Sequence, residues 1–239
     1  TGVQTCALPI FLRVFQKFAK FQLETLGLEQ QHLNYTKQIL QHPSGLILIT
    51  GPTGSGKSTT LYACLEHLKQ QKDKVIVTLE DPVEATLTGI RQSQINPSIN
   101  YQFANGLRAI LRQDPDIIMI GEIRDKETAK VALDAAHTGH LVLSTLHTHD
   151  CTNSIARLTS LDLDAFLLTQ ALKGIISQKL TPKFCPQCQQ KGCAHCHFSG
   201  RIGRTLKTEI LQIEHPNQIQ KCLSNPQYLS HIKIGRAHV

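Results

Sequence analysis

The sequence predicts an α/β fold built on a mainly parallel sheet, and three observations predict it. Four short apolar runs, Leu46 to Thr50, Val75 to Leu79, Ile117 to Ile120 and Leu141 to Ser144, are nearly continuous rather than alternating, the pattern of strands covered on both faces. Between them apolar residues recur at helical spacing, so that Leu61, Cys64, Leu65 and Leu68 share one face, as do Ala129, Ala132, Leu133 and Ala136. Directly after the first run stands Gly51-Pro52-Thr53-Gly54-Ser55-Gly56-Lys57-Ser58, which matches GxxxxGK[ST] and leads into the first of those helices. Alternating strands and helices define the α/β class.

Taken in order, Leu28 to Gln41 reads as an amphipathic helix closed by Pro43 and Gly45, ahead of the first strand. After the fourth strand, Ser154 to Leu180 reads as helical with a break near Leu161 to Asp164, which predicts a helical C-terminal part. From Phe184 to Gly203 the apolar pattern gives way to four Cys, two His and three Gly, the mark of a small insert. The expected organisation is a terminal and linker segment at 1–27, a core with its following helices at 28–181, a tetracysteine element at 182–204 and a C-terminal segment at 205–239. Both ends, TGVQTCALPI at 1–10 and IGRAHV at 234–239, resemble translated adapter read-through and carry no weight in this reading.

A chain of 239 residues with 41% hydrophobic residues is long enough for one good-sized domain, or a domain plus an appendage. No run of eighteen apolar residues occurs, so any membrane contact is expected to be peripheral. The first ten residues lack the charged start and cleavage site of a signal peptide, and a cytoplasmic location is expected. The net charge of +7 is spread thinly over the sequence rather than gathered in a basic run, so no nucleic-acid partner is expected. Four of the eight cysteines fall in two CxxC pairs, which fits a reducing compartment better than a disulfide framework.

The motif at Gly51 to Ser58 carries specific chemistry. Its glycines let backbone N–H groups fold around phosphate oxygens, and the following helix N-terminus adds the positive end of a dipole. Lys57 is placed to reach the β- and γ-phosphates, and Ser58 to offer its hydroxyl to Mg²⁺. The third strand ends in Gly121-Glu122-Ile123-Arg124-Asp125, which puts Glu122 on the ligand-binding rim of an open α/β sheet, where a carboxylate holds Mg²⁺ directly or through water. The second strand ends in Glu80-Asp81-Pro82-Val83-Glu84, and one of these carboxylates is a candidate to orient or deprotonate the attacking water. The fourth strand delivers His147 to the same edge, within reach of a γ-phosphate. His140, at the strand's start, reads as structural.

With these residues in view, GPTGSGKSTTLY, TLEDPVE, GLRAILRQDPDIIMIGEIRD and TGHLVLSTLHT resemble, in order and spacing, the four signatures of the secretion ATPase superfamily, over about Gly45 to Asp150 and more weakly to Leu211. The resemblance implies a RecA-like P-loop ATPase core that binds Mg²⁺ with ATP. It implies nucleotide contacts for Gly51, Pro52, Thr53, Gly54, Ser55, Gly56, Lys57, Ser58 and Thr59, acidic-box chemistry for Glu80, an atypical Walker B role for Glu122 and γ-phosphate sensing for His147. It implies interface or phosphate roles for Arg108 and Arg112. It further implies a homo-oligomeric ring, a hexamer, working against an inner-membrane platform protein, and an additional N-terminal domain whose arginines complete the site, which makes the present chain look truncated.

Cys185-Pro-Gln-Cys188 and Cys193-Ala-His-Cys196 supply two hooks for one structural Zn²⁺, with free thiols as the bland alternative and His195 or His197 as substitutes for one cysteine. Only four residues join the hooks. The element resembles that of pilus-assembly and type II secretion motors, which pilus-retraction motors lack, so the resemblance implies extrusion. Two other readings compete: a nucleic-acid translocase, which no basic stripe supports, and a nucleotide-binding relic with little hydrolysis.

Overall fold

A computed structural model describes residues 21–71, 73–224 and 234–236. The run at 1–10, most of the expected 1–27 segment and the last three residues of the closing run lie outside the described residues. The eight strands are β1 (Gly45–Thr50), β2 (Ile76–Glu80), β3 (Arg91–Gln94), β4 (Ile117–Ile120), β5 (Leu141–Leu146), β6 (Leu172–Phe184), β7 (Arg201–Gln212) and β8 (Ile234–Arg236). They form one sheet in the order β3-β2-β4-β5-β1-β6-β7-β8. The first six neighbours run parallel, and β7 and β8 then return antiparallel.

The continuous apolar runs have a direct cause. Side chains alternate between the two faces of a strand, and both faces of this sheet are covered. Ile47, Ile49, Met119 and Leu143 face α1 (Gln30–Leu40) and α2 (Lys57–Lys69), packing with Leu33, Ile39, Leu61 and Leu65. Leu46, Leu48, Ile118, Ile120 and Val142 face the opposite way, towards α3 (Phe103–Ile110), α4 (Lys126–His137), α5 (Cys151–Ser160), α6 (Ala165–Ala171) and α7 (Pro216–Ser224). There they meet Leu107, Ala132, Ala136, Leu158 and Leu168. Each fully buried Leu or Ile contributes about 1.5–3 kcal/mol. The small alanines on α4 let that helix lie close against the sheet. Asp125 caps it, accepting from Thr128 N at 2.8 Å.

The four expected strands and the helices around them are present, and the expected helix at Leu28 to Gln41 is α1. The expectation that helix continues to Leu180 is corrected: α6 ends at Ala171 and the chain enters β6. Leu168, Ala171, Leu172, Ile175 and Ile176 have the spacing of a helical stripe, yet all five are buried along a helix end and a sheet strand. Tertiary pairing overrides the local period, because β1 needs a neighbour on its second edge and obtains it from β6 over Leu46 to Thr50. Gly174 lets Ile39 of α1 pack closely on β6, since a Cβ there would stand 2.7 Å from Ile39 Cδ1. The C-terminal part, expected to be helical, is therefore helical through α5 and α6 and then mainly sheet. Strand β6 crosses the expected boundary at 181, and the tetracysteine segment occupies the turn between β6 and β7.

Candidate active site

Strands β1, β2, β4 and β5 all end on one edge of the sheet, and the segments that leave them surround a cleft of about 700 Å³. The loop after β1 forms its floor. Gly51 has φ +150, and a Cβ there would stand 2.2 Å from Gln178 O and 2.6 Å from Ser55 Oγ, so only glycine fits. Gly56 takes φ +89 as the residue before α2, a left-handed conformation that turns the loop directly into the helix. Thr53, Gly54, Gly56, Lys57, Ser58 and Thr59 line the cleft, while Ser55 is buried beneath it. Lys57 Nζ donates to Gly51 O at 2.9 Å and Pro52 O at 3.1 Å, spanning its own loop. Burial pushes the Lys57 ammonium below its ordinary pKa, an effect that the nearby Glu122 carboxylate opposes.

Glu122 leaves the end of β4 with only 12% of its side chain exposed. One carboxylate oxygen, Oε1, pairs with Arg124. The other, Oε2, lies 3.3 Å from His147 Nε2 at the end of β5, but the alignment makes no hydrogen bond, and this buried oxygen has no hydrogen-bond partner. A buried carboxylate oxygen without a hydrogen-bond partner, in a cleft that Lys57 and Ser58 also line, fits a Mg²⁺ ion or a water bound to one. Glu80 differs. Its carboxylate is buried, Oε2 accepts from the Tyr62 hydroxyl, and Oε1 accepts from Thr78 Oγ1 at 2.6 Å and Gln92 Nε2 at 3.0 Å. Tyr62 also accepts from Glu84 N at 3.1 Å, which ties α2 to the acidic turn. Asp81 and Glu84 line the cleft beyond it.

At the far end of β6, Cys185, Cys188, Cys193 and Cys196 converge, with their sulfurs all within 4.8 Å of one another. The Sγ separations are 3.8 Å for Cys185 and Cys193, 3.7 Å for Cys188 and Cys196, and 3.8 Å for Cys193 and Cys196. Four sulfurs each about 2.3 Å from one tetrahedral ion stand about 3.8 Å apart, so the set fits Zn²⁺. The amides of Cys193 and Gly200 donate to Cys196 Sγ, both at 3.2 Å. Against the desolvation of its site, these amides and the neighbouring thiols draw the Cys196 thiol down to about 6, while desolvation raises Cys188 to about 11.

A family model described as "Type II/IV secretion system protein" matches residues 4–234, nearly the whole chain. The chain belongs to this family. Among curated relatives, the type II secretion system protein E of Dickeya dadantii is 43% identical over 229 residues, covering 86% of this chain and 46% of the relative. The type II secretion system ATPase E of Vibrio cholerae is 40% identical over 231 residues, with the same coverage. The chain thus spans about half the length of these relatives. Among solved structures, the pilus retraction motor PilT with bound ADP matches with a TM-score of 0.72 at 35% identity, over 89% of this chain and 60% of that one. The Legionella pneumophila ATPase DotB matches with a TM-score of 0.69 at 29% identity, over 90% and 59%.

Within this secretion-family chain, Glu80, Glu122 and His147 all reach the cleft. Arg108 and Arg112 do not. Arg108 pairs with Glu127 at 2.9 Å on the outer side of α3, and Arg112 is exposed just beyond that helix. His140 is structural as expected, with Nδ1 2.9 Å from Ala135 O. Tyr62, Arg124, Gln178, Leu180 and Arg204 were not foreseen. The first two sit inside quoted motifs, whereas the last three come from β6 and β7, where the helical reading concealed an inward-facing strand.

Proposed function

We propose that this chain is the nucleotide-hydrolysing motor domain of a type II secretion ATPase, taking MgATP into the cleft at the ends of β1, β2, β4 and β5. The observation that carries it is Glu122, whose buried Oε2 lacks a hydrogen-bond partner and lies beside a GxxxxGK[ST] loop. Backbone amides of the loop and Lys57 bind and orient the phosphates. Bound Mg²⁺ would supply charge neutralisation across the β- and γ-phosphates, held by Ser58 and Glu122. Water attacks the γ-phosphorus, its oxygen forming the new P–O bond as the bond to the ADP oxygen breaks, and a carboxylate of the acidic turn takes the water proton.

We assign the water-orienting role to Glu84, which lines the cleft with its backbone N–H donating to Tyr62, and a bracing role to Glu80, which accepts from Tyr62, Thr78 and Gln92. His147, beside Glu122 at the end of β5, reads the γ-phosphate. Type II secretion relatives and a tetracysteine set with Zn²⁺ spacing favour secretion or pilus assembly over retraction. The motor is proposed to work as a hexameric ring on an inner-membrane platform protein. No described helix is long and apolar enough to cross a membrane. Arg108 and Arg112, outside the chain's own cleft, fit contacts with a neighbouring subunit.

The test is nucleotide binding by this chain and by Lys57→Ala. That substitution deletes the loop's one side-chain cation, and MgATP affinity is expected to fall by about a hundredfold, as for a charge-assisted phosphate contact. Equal affinity in parent and variant removes the phosphate-cradle assignment.

A further inference from the structure

We propose that Gln178 is a positioning residue of the phosphate cradle, holding the Ser55–Gly56 peptide so that the Gly56 amide is turned to the nucleotide. The inference rests on the reading of the cleft as an ATP site. Gln178 lies on β6, immediately beyond the last residue that pairs with β1, and is 2% exposed. Its side-chain Nε2 donates to Ser55 O at 2.7 Å. In a planar trans peptide the carbonyl and the following N–H point in opposite directions. Fixing the Ser55 carbonyl towards β6 therefore directs the Gly56 N–H away from the strand, to the side where Gly56 and Lys57 line the cleft. Gly56 at φ +89 is the residue that accepts this turn.

The backbone of Gln178 fixes the other end of the loop. Its carbonyl oxygen is the atom that a Cβ at Gly51 would strike, so one residue bounds the cradle at both its first glycine and its last. The side-chain chemistry argues against simple space filling. Gln178 Oε1 is buried without a hydrogen-bond partner, as is Ser55 Oγ. An unpartnered buried amide oxygen is costly, and an apolar residue of the same shape would avoid that cost. What the amide supplies in return is its donor to Ser55 O. Gln178 touches no reacting atom, so its action is on the cradle rather than on the chemistry.

The experiment compares MgADP and MgATP binding to the parent chain, to Gln178→Met, which keeps the length without the donor, and to Gln178→Glu, which donates only when protonated. Gln178→Met is expected to lose about tenfold in affinity for both nucleotides, the scale of one hydrogen bond, while the nucleotide-free protein keeps its thermal midpoint. Gln178→Glu is expected to bind poorly at about pH 8 and to approach the parent as pH falls to about 6, because burial raises a carboxyl pKa and the acid form donates to Ser55 O. Parental affinity in Gln178→Met overturns the inference. So does a loss in Gln178→Glu that is the same at every pH, or failure of both variants to fold, since either would make Gln178 a core residue only. A parent chain that binds neither nucleotide overturns the ATP reading first and this inference with it.

Discussion

Glu122 and His147 face each other across the ends of two adjacent parallel strands, with His147 Nε2 3.3 Å from Glu122 Oε2. Arg124 engages the other carboxylate oxygen, so the buried oxygen beside His147 is the one without a hydrogen-bond partner. Replacing Glu122 by Gln keeps the shape and removes the charge. The expected outcome is retained MgATP binding with turnover lowered by about a hundredfold or more, the behaviour of a group that acts mainly in the transition state. Single-turnover phosphate release with a parallel binding titration checks this, and unaltered turnover would return the main acidic role to the turn after β2.

That turn carries the second prediction. Glu80 accepts from Tyr62, Thr78 and Gln92 and braces the turn, and Glu84 lines the cleft with its backbone N–H held by Tyr62. Glu84→Gln is expected to lower turnover by about a hundredfold, within the range of general-base losses, at little cost in melting temperature. Glu80→Gln is expected to lower stability by about 1–3 kcal/mol, because the buried donors lose a charged acceptor. Thermal denaturation beside turnover separates the two, and a stable, inactive Glu80→Gln with an active Glu84→Gln would reverse the roles.

Much of this arrangement was legible in the sequence, for a physical reason. Strands buried on both faces cannot hide their apolar character, and a phosphate loop needs glycines at fixed positions, so β1, β2, β4, β5 and Gly51 to Ser58 announce themselves. The failure at Leu172 to Leu180 has an equally physical origin. Leu168, Ala171, Leu172, Ile175 and Ile176 match a helical stripe, and nothing local reveals that β1 needs a partner on its open edge. With that strand misread, Gln178 and Leu180 could not be placed, nor could Arg204 on the strand paired with it. Glu80 illustrates a different limit: its spacing put it on the correct rim, but its engagement with Tyr62 and Gln92 depends on contacts 18 and 12 residues away.

A third prediction concerns the start of β4. Asp116 accepts from Val75 N at 2.7 Å and from Lys74 Nζ at 3.0 Å, and these partners, the backbone amide first, hold its carboxyl below the usual carboxylate range. A carboxyl whose folded pKa is depressed contributes stability above its unfolded value, near 3.9, and loses it as pH falls through the lower folded value. Asp116→Asn is therefore expected to be destabilising by about 1 kcal/mol at pH 7, discounted for the partial exposure of the pair. The difference should shrink towards zero below about pH 3. Denaturant unfolding at the two pH values measures it, and a constant difference would assign the effect to packing instead of charge.

The last prediction concerns the tetracysteine turn. Sulfur separations of 3.7 to 3.8 Å match the edge of a tetrahedron around zinc, and amides from Cys193 and Gly200 already point at Cys196, ready to offset thiolate charge. Without an ion, four thiolates this close would repel one another, and protonation relieves the repulsion only by giving up the ligands. Purified protein is therefore expected to carry about one zinc per chain, bound through all four cysteines. Because the turn joins β6 to β7 well beyond the residues that β6 pairs with β1, its loosening should stay local. A chelator is expected to raise amide exchange at 185–200 while leaving exchange in β1, β4 and β5 unchanged. Replacing Cys188 by Ser should reproduce the chelator's effect, since three remaining sulfurs leave the shell open. Metal analysis giving less than about a tenth of an equivalent would reject the site, and exchange that rose equally in β1 would show that the hairpin and the sheet unfold as one unit.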